Sequence, residues 1–229
     1  MKKEKVFILS VLSLLSFCWV MAQPADKLAP APSLQEGAAI ASQGTKAGAA
    51  ACNGCHGPKG EGMAASSFPR LAGEPAYYMT SQLKDYASGV RENAVMGPIA
   101  KALTDAEKET VSAYFASLPV PPLKPAKKAT KAELKRGETL ATTGDMKLFL
   151  QACNNCHGPG SRGVAPTMPG LAAQHPGYLA QQIAAWKTGT RKNSPEQMAE
   201  IAKKLSDKDI QALAAYFESI SLSVPNKKK

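Results

Sequence analysis

Cys52-Asn53-Gly54-Cys55-His56 carries the reading of this chain, and Cys153-Asn154-Asn155-Cys156-His157 repeats it about a hundred residues later. Cys-x-x-Cys-His is the attachment signature of c-type haem. Two thiols about one helical turn apart reach the two vinyl groups on one porphyrin edge. The residue that follows sets an imidazole beneath the iron. Two such pentapeptides imply two covalently attached haem c groups and their iron.

Other uses of paired cysteines fit less well. Disulfides form in oxidising compartments, but they give no reason for a histidine directly after each second cysteine. A thioredoxin-like pair belongs beside a βαβ pattern, and no such pattern is present. Four cysteines on one zinc ion would tie the two pentapeptides together and leave each half of the chain without a core.

Working outward, the chain matches itself at a shift near 100 residues, the mark of an internal repeat. Leu71-Ala72-Gly73 faces Leu171-Ala172-Ala173, and Tyr78, Gln82, Gly89, Arg91 and Asn93 face Tyr178, Gln182, Gly189, Arg191 and Asn193. Between the copies runs PVPPLKPAKKATKAELK, whose prolines favour extended backbone and whose lysines keep it solvated. The expected organisation is a signal peptide over 1–22, a first domain over 23–118, a linker over 119–136, a second domain over 137–221 and a basic tail over 222–229.

Each repeat reads as helical, because its apolar residues recur at three and four. Met79, Leu83 and Tyr86 do so in the first copy and Leu179, Ile183 and Trp186 in the second, with Gly89 and Gly189 suited to helix C-termini. Closing helices are predicted from Thr104 with Glu107 and from Ser206 with Asp209, both spaced as capping boxes. No run of alternating β-branched residues appears, so an all-α fold without a sheet is expected. The 229 residues include only two Trp, six Tyr and six Phe, and repeats of about 85 residues bury little core on their own. A buried porphyrin supplies the missing apolar mass.

The N-terminal MKKEK, followed by VFILSVLSLLSFCWVM and Ala22, reads as a secretory signal cleaved before Gln23. An uncleaved anchor is the alternative. Bulky Phe17 argues against a lipoprotein site at Cys18. The formal charge of +10 is concentrated in the linker and in Lys227, Lys228 and Lys229 rather than on a structured face, which argues against nucleic-acid binding. A soluble, exported protein is expected.

A filled sixth position on the iron marks an electron carrier, and an open one admits small molecules. Of Met63, Met79, Met96, Met146, Met168 and Met198, only Met96 and Met198 recur between the copies, 40 and 41 residues after His56 and His157. They are the candidate ligands opposite those histidines. Metal-bound imidazoles donate their second N–H to an acceptor. The carbonyls of Pro69 and Pro169 are candidates, although prolines also simply shape loops. Arg91, Arg191, Tyr86 and Trp186 are read either as partners of haem propionates or as packing and surface charge. His175 stands where the first copy has Pro75 and is read as a surface or capping residue.

These residues together resemble the dihaem cytochromes of the c4 type, tandem class I cytochrome c domains, over about residues 36–221. The resemblance rests on CNxCHGP, a following Pro-x-Leu, a Tyr-rich helix ending in Gly, an Arg-x-Asn loop leading to Met, and a Leu-[Thr/Ser]-Asp…Ala-Tyr-Phe closing helix. It implies thioethers at Cys52, Cys55, Cys153 and Cys156, ligation by His56 with Met96 and His157 with Met198, and Pro69 and Pro169 as histidine acceptors. It also implies a non-enzymatic periplasmic carrier between a quinol-oxidising complex and a terminal oxidase or reductase. The alternative is the cytochrome subunit of a larger periplasmic dehydrogenase acting on a sulfur compound or an alcohol. A dihaem peroxidase or thiosulfate-oxidising enzyme would need an iron lacking a stable methionine. The linker is longer and more charged than the family's short connector, which makes close docking of the two domains an open expectation.

Overall fold

The computed structural model describes residues 31–122 and 129–222. The expected signal peptide, the centre of the linker and nearly all of the basic tail lie outside the described residues. Ten α-helices are present among them, in two runs of five. The first run is α1 (Leu34–Gln43), α2 (Asn53–His56), α3 (Ala76–Ser88), α4 (Met96–Lys101) and α5 (Asp105–Ser117). The second is α6 (Lys131–Thr142), α7 (Asn154–His157), α8 (Pro176–Lys187), α9 (Glu200–Lys204) and α10 (Asp207–Ser219). Short 3-10 turns join them, and the described residues hold isolated β-bridges but no sheet. The fold is all-α. No helix among the described residues is long and apolar enough to cross a membrane.

The closing helices begin as their sequences predict. Thr104 Oγ1 accepts from Glu107 N and the Glu107 carboxylate accepts from Thr104 N. Ser206 and Asp209 repeat that exchange at α10, satisfying donors that a helix start otherwise leaves open. A third box, between Thr130 and Glu133, starts α6. Residues 131–136, read from sequence as the end of the linker, are therefore helical. The Thr-x-x-Glu spacing outweighs the lysines, which sit on the solvent side of the helix.

Helices α1 and α5 cross at Gly37, where an added Cβ would lie 2.6 Å from the Tyr114 Cβ. Gly137 plays the same part against Tyr216, also at 2.6 Å, where α6 crosses α10. Only glycine lets these backbones approach so closely. The first repeat buries just Ala41, Met79, Val111 and Phe115 as a core cluster. The second buries a larger one around Leu140, Leu213 and Phe217.

The repeats dock directly, joined by an antiparallel bridge between Arg91 and Arg191. Contacts are exchanged in pairs across the junction. Arg91 reaches Gln182 and Arg191 reaches Gln82. Arg70 N donates to Gln174, and Gly170 N donates to Glu74.

Candidate haem sites

Helices α2 and α7 are each a single turn. His56 N donates to Cys52 O, and His157 N to Cys153 O, both at 2.9 Å. That turn places the first thiol and the imidazole four residues apart on one face. Gly57 and Gly158, at φ +78° and +77°, end the two turns in conformations that a side chain rarely adopts. The chain then curls back, so that Gly62 N reaches His56 O at 2.7 Å and Gly163 N reaches His157 O at 2.8 Å.

Both histidines are buried. His56 Nδ1 lies 2.9 Å from Pro69 O, and His157 Nδ1 lies 2.9 Å from Pro169 O. A carbonyl only accepts, so Nδ1 carries the proton and Nε2 is left with its lone pair free. Burial pushes both imidazoles below their ordinary pKa, against the opposing pull of the proline carbonyls. A neutral ring with a free Nε2 is the form that binds a metal.

A continuous cavity of about 810 Å³ runs along both turns and is lined by residues of both repeats. Cys52, Cys55, His56, Cys153, Cys156 and His157 all face it, as do Met79, Met96, Met168 and Met198. Met63 and Met146 are instead solvent-exposed, at 42% and 90%. The four cysteines form no disulfide with one another, which leaves each sulfur available for attachment. The residues fit a haem on a further ground. Trp186 Nε1 and Ser112 Oγ, both buried on the cavity wall, have no hydrogen-bond partner in the protein. Buried polar atoms find partners, and a carboxylate-bearing group in the cavity suits the indole N–H. No cluster of three or more His, Cys, Asp or Glu suited to a metal ion occurs among the described residues.

The two methionine loops are built differently. Asn93 Oδ1 accepts from Met96 N at 2.8 Å and from Val95 N at 2.9 Å, and so starts α4. Its counterpart Asn193 crosses to the other repeat, donating to Gln82 and Asp85. Ser194 Oγ takes over the Met198 amide at 3.4 Å, and Pro195–Ala199 forms one π-helical turn. The two extra residues of RKNSPEQM are absorbed in that wider turn.

Arg91 stacks 4.5 Å over the Tyr86 ring, and Arg191 stacks 3.8 Å over the Trp186 ring. Both guanidiniums also cross the junction. His175 is a buried residue at the start of α8, but its side chain makes no capping bond. Its Nε2 meets Glu61 O of the first repeat at 2.9 Å, which makes it a junction residue.

Residues 41–119 match the cytochrome c family model, and residues 141–217 match that of cytochrome C oxidase, cbb3-type, subunit III. A cytochrome c4 of Azotobacter vinelandii is 36% identical over 197 residues, spanning 80% of this chain and 90% of that one. The chain belongs to the dihaem c4-type cytochromes. As a c4-type cytochrome it is an electron-transfer protein with two covalently bound haem c groups. A thiosulfate dehydrogenase electron acceptor of Stutzerimonas stutzeri (strain A1501) is 43% identical to this cytochrome over 178 residues, covering 77% and 82% of the two chains. The structure of a thiosulfate dehydrogenase (TsdBA) from Marichromatium purpuratum superposes with a TM-score of 0.76 at 35% identity. That match covers 85% of this cytochrome and 42% of the longer chain.

Sequence reasoning missed the buried set of Arg70, Glu74 and Gln174 at the domain junction. One signal was available: Glu74 and Gln174 occupy the same repeat position, directly after the matched Leu-Ala-Gly and Leu-Ala-Ala.

Proposed function

We propose that this cytochrome is the periplasmic electron acceptor of a thiosulfate-oxidising enzyme and hands the electrons on toward a respiratory terminal oxidase. The observation that carries this reading is the 43% identity to a thiosulfate dehydrogenase electron acceptor, against 36% to a cytochrome c4. Joining two thiosulfate ions through sulfur to make tetrathionate releases two electrons, which two haems store together.

In this reading His56 and Met96 hold one iron and His157 and Met198 the other, with thioethers at Cys52, Cys55, Cys153 and Cys156. Held by an imidazole and a thioether, the haem would supply one-electron exchange at a potential raised by the sulfur. The chain's part is to keep the pocket dry and the histidines oriented. Pro69 O and Pro169 O hold the rings at Nδ1, and the neutral wall around Met79, Leu179 and Ile183 excludes water.

Mixing the oxidised holoprotein with thiosulfate and a thiosulfate dehydrogenase tests the reading. Rapid reduction of both haems is expected. Reduction by a quinol-oxidising complex alone would favour the second reading, a carrier between that complex and the oxidase, for which the cytochrome c4 relatives speak. Periplasmic delivery rests on the signal-peptide reading, and a mature N-terminus at Gln23 is its check.

A further inference from the structure

The peptide units whose carbonyls hold the two histidines are themselves held from the opposite repeat. In the first, Pro69 O accepts from His56 Nδ1, while the N–H of the same peptide, Arg70 N, donates to Gln174 Oε1 at 2.8 Å. In the second, Pro169 O accepts from His157 Nδ1, while Gly170 N donates to Glu74 Oε2 at 2.8 Å. Each histidine is thus linked through a single amide to a side chain of the other domain.

The two links differ in charge. Glu74 is 4% exposed, and Arg70 Nη2 sits on its Oε1 at 2.5 Å. Burial pushes the Glu74 carboxyl above its ordinary range, but the Arg70 guanidinium on Oε1 and the Gly170 N–H on Oε2 both oppose that push, and with a donor on each oxygen the group is read as the carboxylate. Gln174 is neutral, and its Oε1 divides between Arg70 N and His175 N, the latter at 3.1 Å. Hydrogen bonds in series polarise one another, and bonds to ionised acceptors are about twice as strong as neutral ones. A carboxylate on the N–H makes the carbonyl oxygen of that amide a stronger acceptor. The imidazole it holds becomes more electron-rich, which favours the oxidised iron.

We propose that Glu74 and Gln174 are positioning residues through which each domain tunes the haem of the other, with Glu74 lowering the potential of the second haem. The proposal rests on the reading of His56 and His157 as iron ligands. Arg70 neutralises Glu74 overall, but the directional bond to Gly170 N remains. The device makes domain docking part of the electronic environment of both irons.

The test uses the holoprotein and its Glu74→Gln variant, with each haem titrated separately through the NMR signal of its own methionine methyl group. The potential of the second haem is expected to rise relative to that of the first, shifting the partition of one electron by about tenfold, or about 59 mV. The His157 Nδ1 proton in the reduced protein moves toward a weaker hydrogen bond, and that of His56 does not. Glu74→Asp keeps a partner for Arg70 while drawing the carboxylate away from Gly170. It gives the same rise where loss of the ion pair prevents folding. Exchanging the two residues, Glu74→Gln with Gln174→Glu, transfers the lowered potential to the first haem. Potentials that stay put, or move together, in variants with an intact low-spin spectrum overturn the proposal. An unmodified holoprotein lacking histidine–methionine spectra overturns the ligand reading instead.

Discussion

Arg91 Nη2 donates to Gln182 Oε1 at 2.6 Å, and the same glutamine oxygen accepts from Arg191 Nη1 at 3.0 Å. Its counterpart Gln82 Oε1 takes Arg91 Nη1, Arg191 Nη2 and Asn193 Nδ2, each at 2.8 Å. Each glutamine therefore accepts from both arginines, one of its own repeat and one of the other. Replacing Gln82 by Leu leaves buried charged donors without that acceptor, at a cost of about 1.5–3 kcal/mol. Calorimetry of the holoprotein is expected to show the second repeat melting separately from the first. A single, unshifted transition counts against this role.

Met96→Ala and Met198→Ala are each expected to let the reduced holoprotein bind one equivalent of carbon monoxide and to lower the potential of the affected haem. Met79→Leu, a nearly volume-conserving change at another cavity residue, leaves carbon monoxide excluded. Uptake by the Met79 variant, or none by the other two, removes Met96 and Met198 from the iron.

Gly62 sits at φ +77°, and a Cβ there would lie 2.6 Å from Arg70 N, Phe68 O and the Pro69 carbonyl carbon. Gly62→Ala therefore pushes the Pro69 carbonyl off His56, at a cost of about 1–3 kcal/mol from strain. Gly54, where an added Cβ meets nothing within 4 Å, is the control. Gly54→Ala is expected to stay within about 0.5 kcal/mol of the parent. Denaturant midpoints of the two variants provide the comparison.

Arg136 bridges Asp145 and Asp209 at 2.7 Å each, tying α6 to α10 and to the turn before the second haem motif. The hydrogen bond from Arg136 holds the Asp145 carboxyl below its usual pKa. Asp209 also titrates low, because Arg136 and Ser206 together outweigh its partial burial. A folded pKa below the unfolded one stabilises the protein at pH above the unfolded value, and that stability is lost as the pH falls through the folded value. Acid should thus loosen the second repeat, and Arg136→Gln should flatten the pH dependence of its midpoint below the ordinary aspartate pKa of about 3.9. An unchanged acid limb in that variant would show that the pair is not responsible.

Much of this was readable in one dimension. The thiol and histidine spacing, the helical periods and the capping boxes at Thr104 and Ser206 are local, because each is settled within a few turns of chain, and the tandem repeat shows by matching the chain against itself. The box at Thr130 was equally local, but the surrounding lysines and prolines masked it as linker. His175 was misjudged for a different reason. Its partner, Glu61 O, lies 114 residues away, and no local rule reaches that far.

The amino-acid order alone determined that the protein carries two haems on two helical repeats, since covalent attachment needs only thiols and an imidazole at fixed spacing along a turn. Which groups oppose one another across the junction was decided by the tertiary structure. Arg70, Glu74 and Gln174 carry no motif of their own. They take on a role only when docking removes water from them and each must find its partner on the other repeat.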